Sequence, residues 1–148
     1  LRPRRQRQMC IRDRSTGVKK GDFGIEVTET AELNNLSLAS LRLSSIKNLG
    51  VSIALDDFGA GYSALRYLKD LPIDLLKLDK SFTTEMAETH NQSLIQIAKL
   101  MADSLSMEFI CEGLEEEWQI EKAISLGCER GQGYFLHKPC SLEDLTNE

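Results

Sequence analysis

A chain of 148 residues, 41% hydrophobic and 28% charged, has the size and composition of a single soluble globular domain. No apolar run approaches the roughly 20 residues of a membrane span and no secretory leader is visible, so a cytoplasmic protein with no membrane segment in this chain is expected. The net charge of −5 is uneven: residues 1–20 carry eight basic side chains and one acid, which leaves the remainder at −12. A body that acidic argues against a nucleic-acid polymer as partner, and in handling phosphates it would need cations to offset repulsion.

Leu1 to Lys20 is arginine-rich and has neither a helical nor a strand period. Taken alone it could be a basic arm for nucleic acid or anionic membrane. The stretch Gln8 to Arg14 resembles translated sequencing-adapter sequence, however, so residues 1–20 are expected to be a non-native, disordered basic segment that packs on nothing. Ile25 to Glu29 reads as a strand, with Glu26 and Thr28 on one face and Val27 on the other. A glutamate inside a buried strand needs a partner or a metal. Ser37 to Leu49 reads as a helix whose Leu38, Leu41, Ile46 and Leu49 lie near one stripe, stopped by Gly50.

Val51 to Leu55 is a short buried strand that delivers two adjacent acids, Asp56 and Asp57, into the glycine turn Phe58-Gly59-Ala60-Gly61. Like charges at a strand end are unfavourable unless a cation or a division of labour compensates; the plainer alternative is that one of them caps the next helix. A short helix from Ser63 to Lys69 should end before Leu71-Pro72. The next strand, Ile73 to Asp79, sets Leu75, Lys77 and Asp79 opposite Leu76 and Leu78. A lysine between leucines implies a buried carboxylate or phosphate partner, or else a stem snorkelling at a strand edge.

Asn91 to Leu105 is the clearest helix, with Leu94, Ala98, Met101 and Leu105 as its apolar stripe. Phe109 to Cys111 forms a strand that runs into Glu112-Gly-Leu-Glu115, acids again at a carboxyl end. Glu116 to Leu126 is a helix stopped by Gly127, with Trp118 as a candidate anchor on the sheet. Gly131 to Tyr134 makes a last turn or short strand, and Ser141 and Asp144 resemble a capping pair. Four cysteines, Cys10, Cys111, Cys128 and Cys140, form no Cys-x-x-Cys pair, which disfavours zinc and disulfide frameworks and leaves Cys111 as a small buried residue.

Strands alternating with helices imply parallel strands joined by right-handed crossovers. In such a fold Glu26, Asp56, Asp57, Lys77, Glu112, Glu115 and Gln132 all fall at or near carboxyl ends of strands, which a barrel gathers at one mouth. Several carboxylates there make an oxygen-donor site for Mg²⁺ or Mn²⁺, and metal-assisted phosphoester hydrolysis fits the inventory. A Schiff-base lyase using Lys77 competes with this reading, but it wants a lysine of lowered pKa, and carboxylates favour the charged form.

Glu26-Val-Thr-Glu29, Asp56-Asp-Phe-Gly-Ala-Gly-Tyr-Ser63, Lys77-Leu-Asp79 with Ser81-Phe82, Glu112-Gly-Leu-Glu115 and Gln132-Gly-Tyr134 resemble the EAL-domain cyclic di-GMP phosphodiesterases of bacterial second-messenger signalling. The resemblance runs over roughly residues 24 to 145 and makes 21–148 a partial EAL domain, an α/β fold of the partial TIM-like (β/α) barrel kind. It implies hydrolysis of cyclic di-GMP to linear pGpG with two ions, Mg²⁺ or Mn²⁺. By that likeness Glu26, Asp56, Asp57 and Glu112 bind metal, Asp56 as the bridge, while Lys77, Glu112 and Asp57 are catalytic, Lys77 orienting the attacking water. Glu29, Glu115 and Gln132 support the loop and pocket, and Phe58, Gly59 and Tyr62 contact substrate. Lys138-Pro139 matches a terminal element.

Ala60 and Ala64 depart mildly from the usual Thr and Ser. The Glu-Ala-Leu strand that names the family, and the next strand with its metal-binding asparagine, have no counterpart. A complete barrel takes about 250 residues, so this chain is expected to be the C-terminal part and to show little turnover alone. A longer parent admits a homodimer. A non-catalytic cyclic di-GMP-binding EAL module is the alternative, although every matching acid in the stretch is present.

Overall fold

The structure, a computed structural model, describes residues 23–28, 35–61 and 68–140. The expectations for residues 1–20, Glu29, Tyr62, the start of the helix at Ser63, and Ser141 with Asp144 lie outside the described residues.

Among the described residues, five parallel strands run in sequence order across one sheet: β1 (Gly24–Thr28), β2 (Ser52–Phe58), β3 (Leu75–Leu78), β4 (Glu108–Cys111) and β5 (Arg130–Gly131). Between them lie α1 (Leu36–Lys47), α2 (Lys80–Thr84), α3 (Thr89–Ser104) and α4 (Glu117–Ser125). This is the α/β order read from the sequence, with all carboxyl ends at one rim.

Local chemistry sets the boundaries. Asn35 opens α1 by accepting a hydrogen bond from the Leu38 amide at 3.0 Å, and Gly50, at φ 85°, closes its exit. Asp79 caps α2, accepting from the Ser81 amide at 3.0 Å, so it serves the helix rather than extending the strand. α4 ends with Gly127 at φ 88°, and the Cys128 amide bonds back to the Ala123 carbonyl at 3.0 Å.

The core lies between the sheet and its helices. Ile53, Leu55, Leu76, Leu78 and Phe109 from the strands meet Leu43, Ile95, Ala98, Ala102 and Ala123 from the helices. Cys111 is fully buried as expected, and its free thiol lies 3.2 Å from the buried thiol of Cys128.

The helix faces differ from those the periodicity predicts. In α1 the inward residue is Leu43, flanked by Leu36 and Ala39, while Leu38, Leu41 and Leu49 are exposed. α3 buries Asn91, Ile95, Ala98 and Ala102 and leaves Leu94 and Leu105 outside. The buried set has the predicted spacing of four, three and four, rotated about the axis. Alanines bring the helix close to the sheet, whereas leucines would hold it off. Trp118 is not a sheet anchor: it is half-exposed and donates from its indole to Glu116 at 2.7 Å, while Gln119 and Ala123 face inward. No helix among the described residues is long and apolar enough to cross a membrane.

Candidate active site

β3 is the centre of the site. Its side chains alternate, so Leu76 and Leu78 enter the helix-covered core while Lys77 points to the other face. There the Lys77 ammonium lies 2.8 Å from Glu26 Oε1, 2.9 Å from Asp56 Oδ1 and 2.7 Å from Glu112 Oε1. These partners come from β1, β2 and the segment just after β4. Lys77 is 5% exposed, so the carboxylates replace water as its solvation shell. Burial by itself would lower its pKa. Contacts with Glu112, then Glu26 and Asp56, outweigh burial and hold the ammonium above the ordinary lysine range. A lysine so firmly charged is a hydrogen-bond donor and countercharge, not a Schiff-base nucleophile.

Asp57 reaches the same place by a different device. In a regular strand Asp56 and Asp57 would point to opposite faces. Between Leu55 and Phe58 the register of β2 against β3 slips: Leu55 pairs with Leu76 but Phe58 with Leu78, so β2 carries one extra residue. Asp57 takes φ 56°, the left-handed conformation that aspartate tolerates better than most side chains. The bulge re-aims its carboxylate, and oxygens of Asp56, Asp57 and Glu112 lie within 4.8 Å of one another. A non-glycine residue in that region costs on the order of 1 kcal/mol, strain of the kind that collects at functional sites.

Glu26, Asp56 and Glu112 share one ammonium, and Asp57 adds a fourth carboxylate beside them, a shortage of countercharge that a divalent cation would relieve. Asp56 Oδ1 is buried, and its close partner is the Lys77 ammonium at 2.9 Å. The converging oxygens of Asp56, Asp57 and Glu112 make an all-oxygen donor set of the kind that suits a hard divalent cation.

Beside Glu112 opens a groove of about 600 Å³, lined in part by Glu115, Gln132, Tyr134, Lys138 and Lys80. Glu115 and Gln132 are exposed there and stand outside the Lys77 cluster. Lys138 lies 5.9 Å from the centroid of the Tyr134 ring. Phe58 packs against the core, and Gly59, at φ 96°, sits so close to Phe82 that a Cβ would meet the ring at 2.5 Å. Thr83 and Gln119, two buried polar residues beside the Glu112 segment, escaped the sequence reading. Gln119 had a faint signal as the third helical residue after Glu116, the spacing of a capping box; Thr83 had none.

A parallel sheet with an acidic mouth at its strand ends, one face covered by helices, defines an α/β protein of the TIM-barrel kind. The chain belongs to the EAL domain family, which it matches over residues 6–139. The cyclic di-GMP phosphodiesterase PdeA of Borreliella burgdorferi is 38% identical over 116 residues, covering 78% of this chain and 17% of that protein. Its fold superposes on the EAL domain of Mycobacterium smegmatis DcpA with a TM-score of 0.88 at 30% identity, covering 95% of this chain and 64% of that one. The MucR phosphodiesterase solved as a c-di-GMP complex gives a TM-score of 0.83 at 32% identity, covering 94% and 56%. The chain spans between 15% and 21% of the length of the curated relatives it matches.

Proposed function

We propose that the chain supplies part of a phosphodiesterase site that opens cyclic di-GMP to linear pGpG with two divalent cations, Mg²⁺ or Mn²⁺. The observation that carries this reading is the buried Lys77 ammonium among Glu26, Asp56 and Glu112, with Asp57 turned into the same cluster. Relatives named as cyclic di-GMP phosphodiesterases, and one solved with c-di-GMP, support the choice of substrate.

In this reading Glu26, Asp56, Asp57 and Glu112 would hold the cations. Bound cations supply Lewis-acid polarisation of the phosphoryl oxygens and a more acidic water. Lys77, always charged, donates hydrogen bonds that orient the attacking water and offsets charge developing on the phosphoryl group. Glu115 and Gln132 shape the groove, where Lys80 and Lys138 place positive charge beside a doubly anionic ligand. Phe58 and Gly59 shape the turn that faces the substrate, with Glu29 and Tyr62 assigned to the same turn by the family pattern. A cytoplasmic location and a homodimer accompany this reading.

Conversion of cyclic di-GMP to pGpG with Mn²⁺ is the test. In a complete EAL domain containing this chain, Asp56→Asn should lower it by at least about a hundredfold, since this carboxylate and the charges around it act as one unit. Undiminished hydrolysis by that variant would sink the reading. Tight binding without turnover, all acids intact, would instead point to a non-catalytic binding module.

A further inference from the structure

Glu112 carries a carboxylate of the site, yet it stands beyond the last residue of β4, in a segment without regular structure. Its amide donates to the Leu78 carbonyl at 3.3 Å, next to Lys77. Its carbonyl is held from the opposite side. Thr83 of α2 is fully buried, and its Oγ1 lies 2.5 Å from the Glu112 carbonyl and 2.8 Å from the Lys80 carbonyl. A hydroxyl has one proton to donate. The Glu112 carbonyl is the nearer of the two acceptors, so the Thr83 proton is assigned to it.

Gln119 completes the hold. It is 5% exposed; its amide nitrogen donates to the Thr83 carbonyl at 3.1 Å, and its oxygen accepts from the Glu115 and Glu116 amides at 2.7 and 2.9 Å. Gly113, at φ 71°, presses the segment onto α2, where a Cβ would meet that of Lys80 at 2.6 Å. On the other side the Leu114 amide donates to the Gln132 carbonyl at 3.1 Å, and the Phe135 amide to the Leu114 carbonyl at 3.1 Å. Every polar atom of the two side chains is spent on residues 112–116 or on the tie between them.

We infer that Thr83 and Gln119 are positioning residues of the phosphodiesterase site: by gripping the main chain of Glu112 and the residues after it, they set where the Glu112 carboxylate stands against Lys77, Asp56 and Asp57. The inference rests on the function proposed above. Groups that orient metal ligands in this way typically change metal affinity or activity by 10- to 100-fold when removed.

Thr83→Val keeps the shape and deletes the proton, Thr83→Ser keeps the proton, and Gln119→Glu keeps the acceptor while deleting the donor to Thr83. Hydrogen exchange at the Glu112 and Leu114 amides should quicken about tenfold or more in Thr83→Val and return in Thr83→Ser. Calorimetric titration should show Mn²⁺ binding weakened about tenfold in Thr83→Val and restored in Thr83→Ser. In turnover by a complete EAL domain containing this chain, kcat should fall while KM for cyclic di-GMP changes little. Ala98→Gly, which loosens α3 on the helix-covered side, is the stability-matched control and should bind Mn²⁺ as the wild type does. If Thr83→Val does not fold, Gln119→Glu carries the same two measurements. Wild-type exchange and wild-type Mn²⁺ affinity in these variants would overturn the inference. A complete EAL domain containing this chain that cleaves no cyclic di-GMP with all its acids intact would overturn the phosphodiesterase reading, and exchange at Glu112 and Leu114 would still decide whether Thr83 grips the segment.

Discussion

Leu76 and Lys77 are adjacent in β3, both nearly free of solvent, and opposite physics keeps them there. Leu76 is buried among helix side chains, and removing its apolar area from water contributes about 2 kcal/mol. Lys77 is buried by Glu26, Asp56 and Glu112, and its desolvation is unfavourable until those charges offset it. Well-packed apolar residues could substitute for one another on the first face. On the second, losing a single partner strands the rest. Burial therefore says little about role until its cause is known: one face stabilises the fold, and the other retains charge that the fold alone does not require.

The sharpest way to break that contrast is Lys77→Met. It leaves the half-buried Asp56 and Glu112 and the exposed Glu26 without their cation and should cost about 3 kcal/mol of stability. In a complete EAL domain containing this chain, hydrolysis of cyclic di-GMP should fall at least about a hundredfold as well. Urea unfolding and turnover, measured on the same preparation, report the two losses. Leu76→Ala should cost about 2–5 kcal/mol through the cavity it leaves. Its turnover per folded molecule should stay within about twofold, because uniform loss of folded protein does not touch the transition state. Equal loss of turnover in both variants would show that the two faces are not separable.

Smaller effects sharpen the comparison. Leu94, which the sequence places on the buried stripe and the structure leaves 44% exposed, should tolerate Leu94→Ala within about 0.5 kcal/mol by urea midpoint. A cost near that of Leu76→Ala would mean that this surface is covered. The smallest effect is an expected constancy. Lys77 has its folded pKa raised, so its contribution to stability is fully present below the unfolded value of about 10.4 and is lost as pH rises through the higher folded value. The stability difference between wild type and Lys77→Met attributable to this lysine should thus stay flat from about pH 7 to pH 9, measured by urea unfolding. A decline across that window would show that the ammonium is not held by its partners.

The strand–helix order and the acids at strand ends were legible in the chain because both follow from local period. Glu26 and Lys77 stand out as charges inside apolar strands, and Glu112 as an acid at a strand's end. Asp57 was legible as a residue but not as a geometry. A period of two sends it away from Asp56, and only the extra residue between Leu55 and Phe58 brings the two carboxylates to one side. In α3 the sequence reading kept Ala98 and Met101 on the core side but wrongly turned Leu94 and Leu105 inward, and in α1 it turned Leu38, Leu41 and Leu49 inward where Leu43 packs, since each helix carries apolar side chains on more than one face.

Sequence by itself determined the class of fold, a parallel α/β sheet, and most members of the charged cluster, because hydrophobic period and the cost of burying an unpaired charge are written residue by residue. Tertiary structure alone decided which helix face packs inward, since that choice belongs to Ala98 and Ala102 meeting a sheet built from distant segments. It also decided how Thr83 comes to hold Glu112, a contact spanning 29 residues that no local period encodes. Side-chain chemistry travels with the sequence, whereas the distance between two side chains exists only after the chain has closed around them.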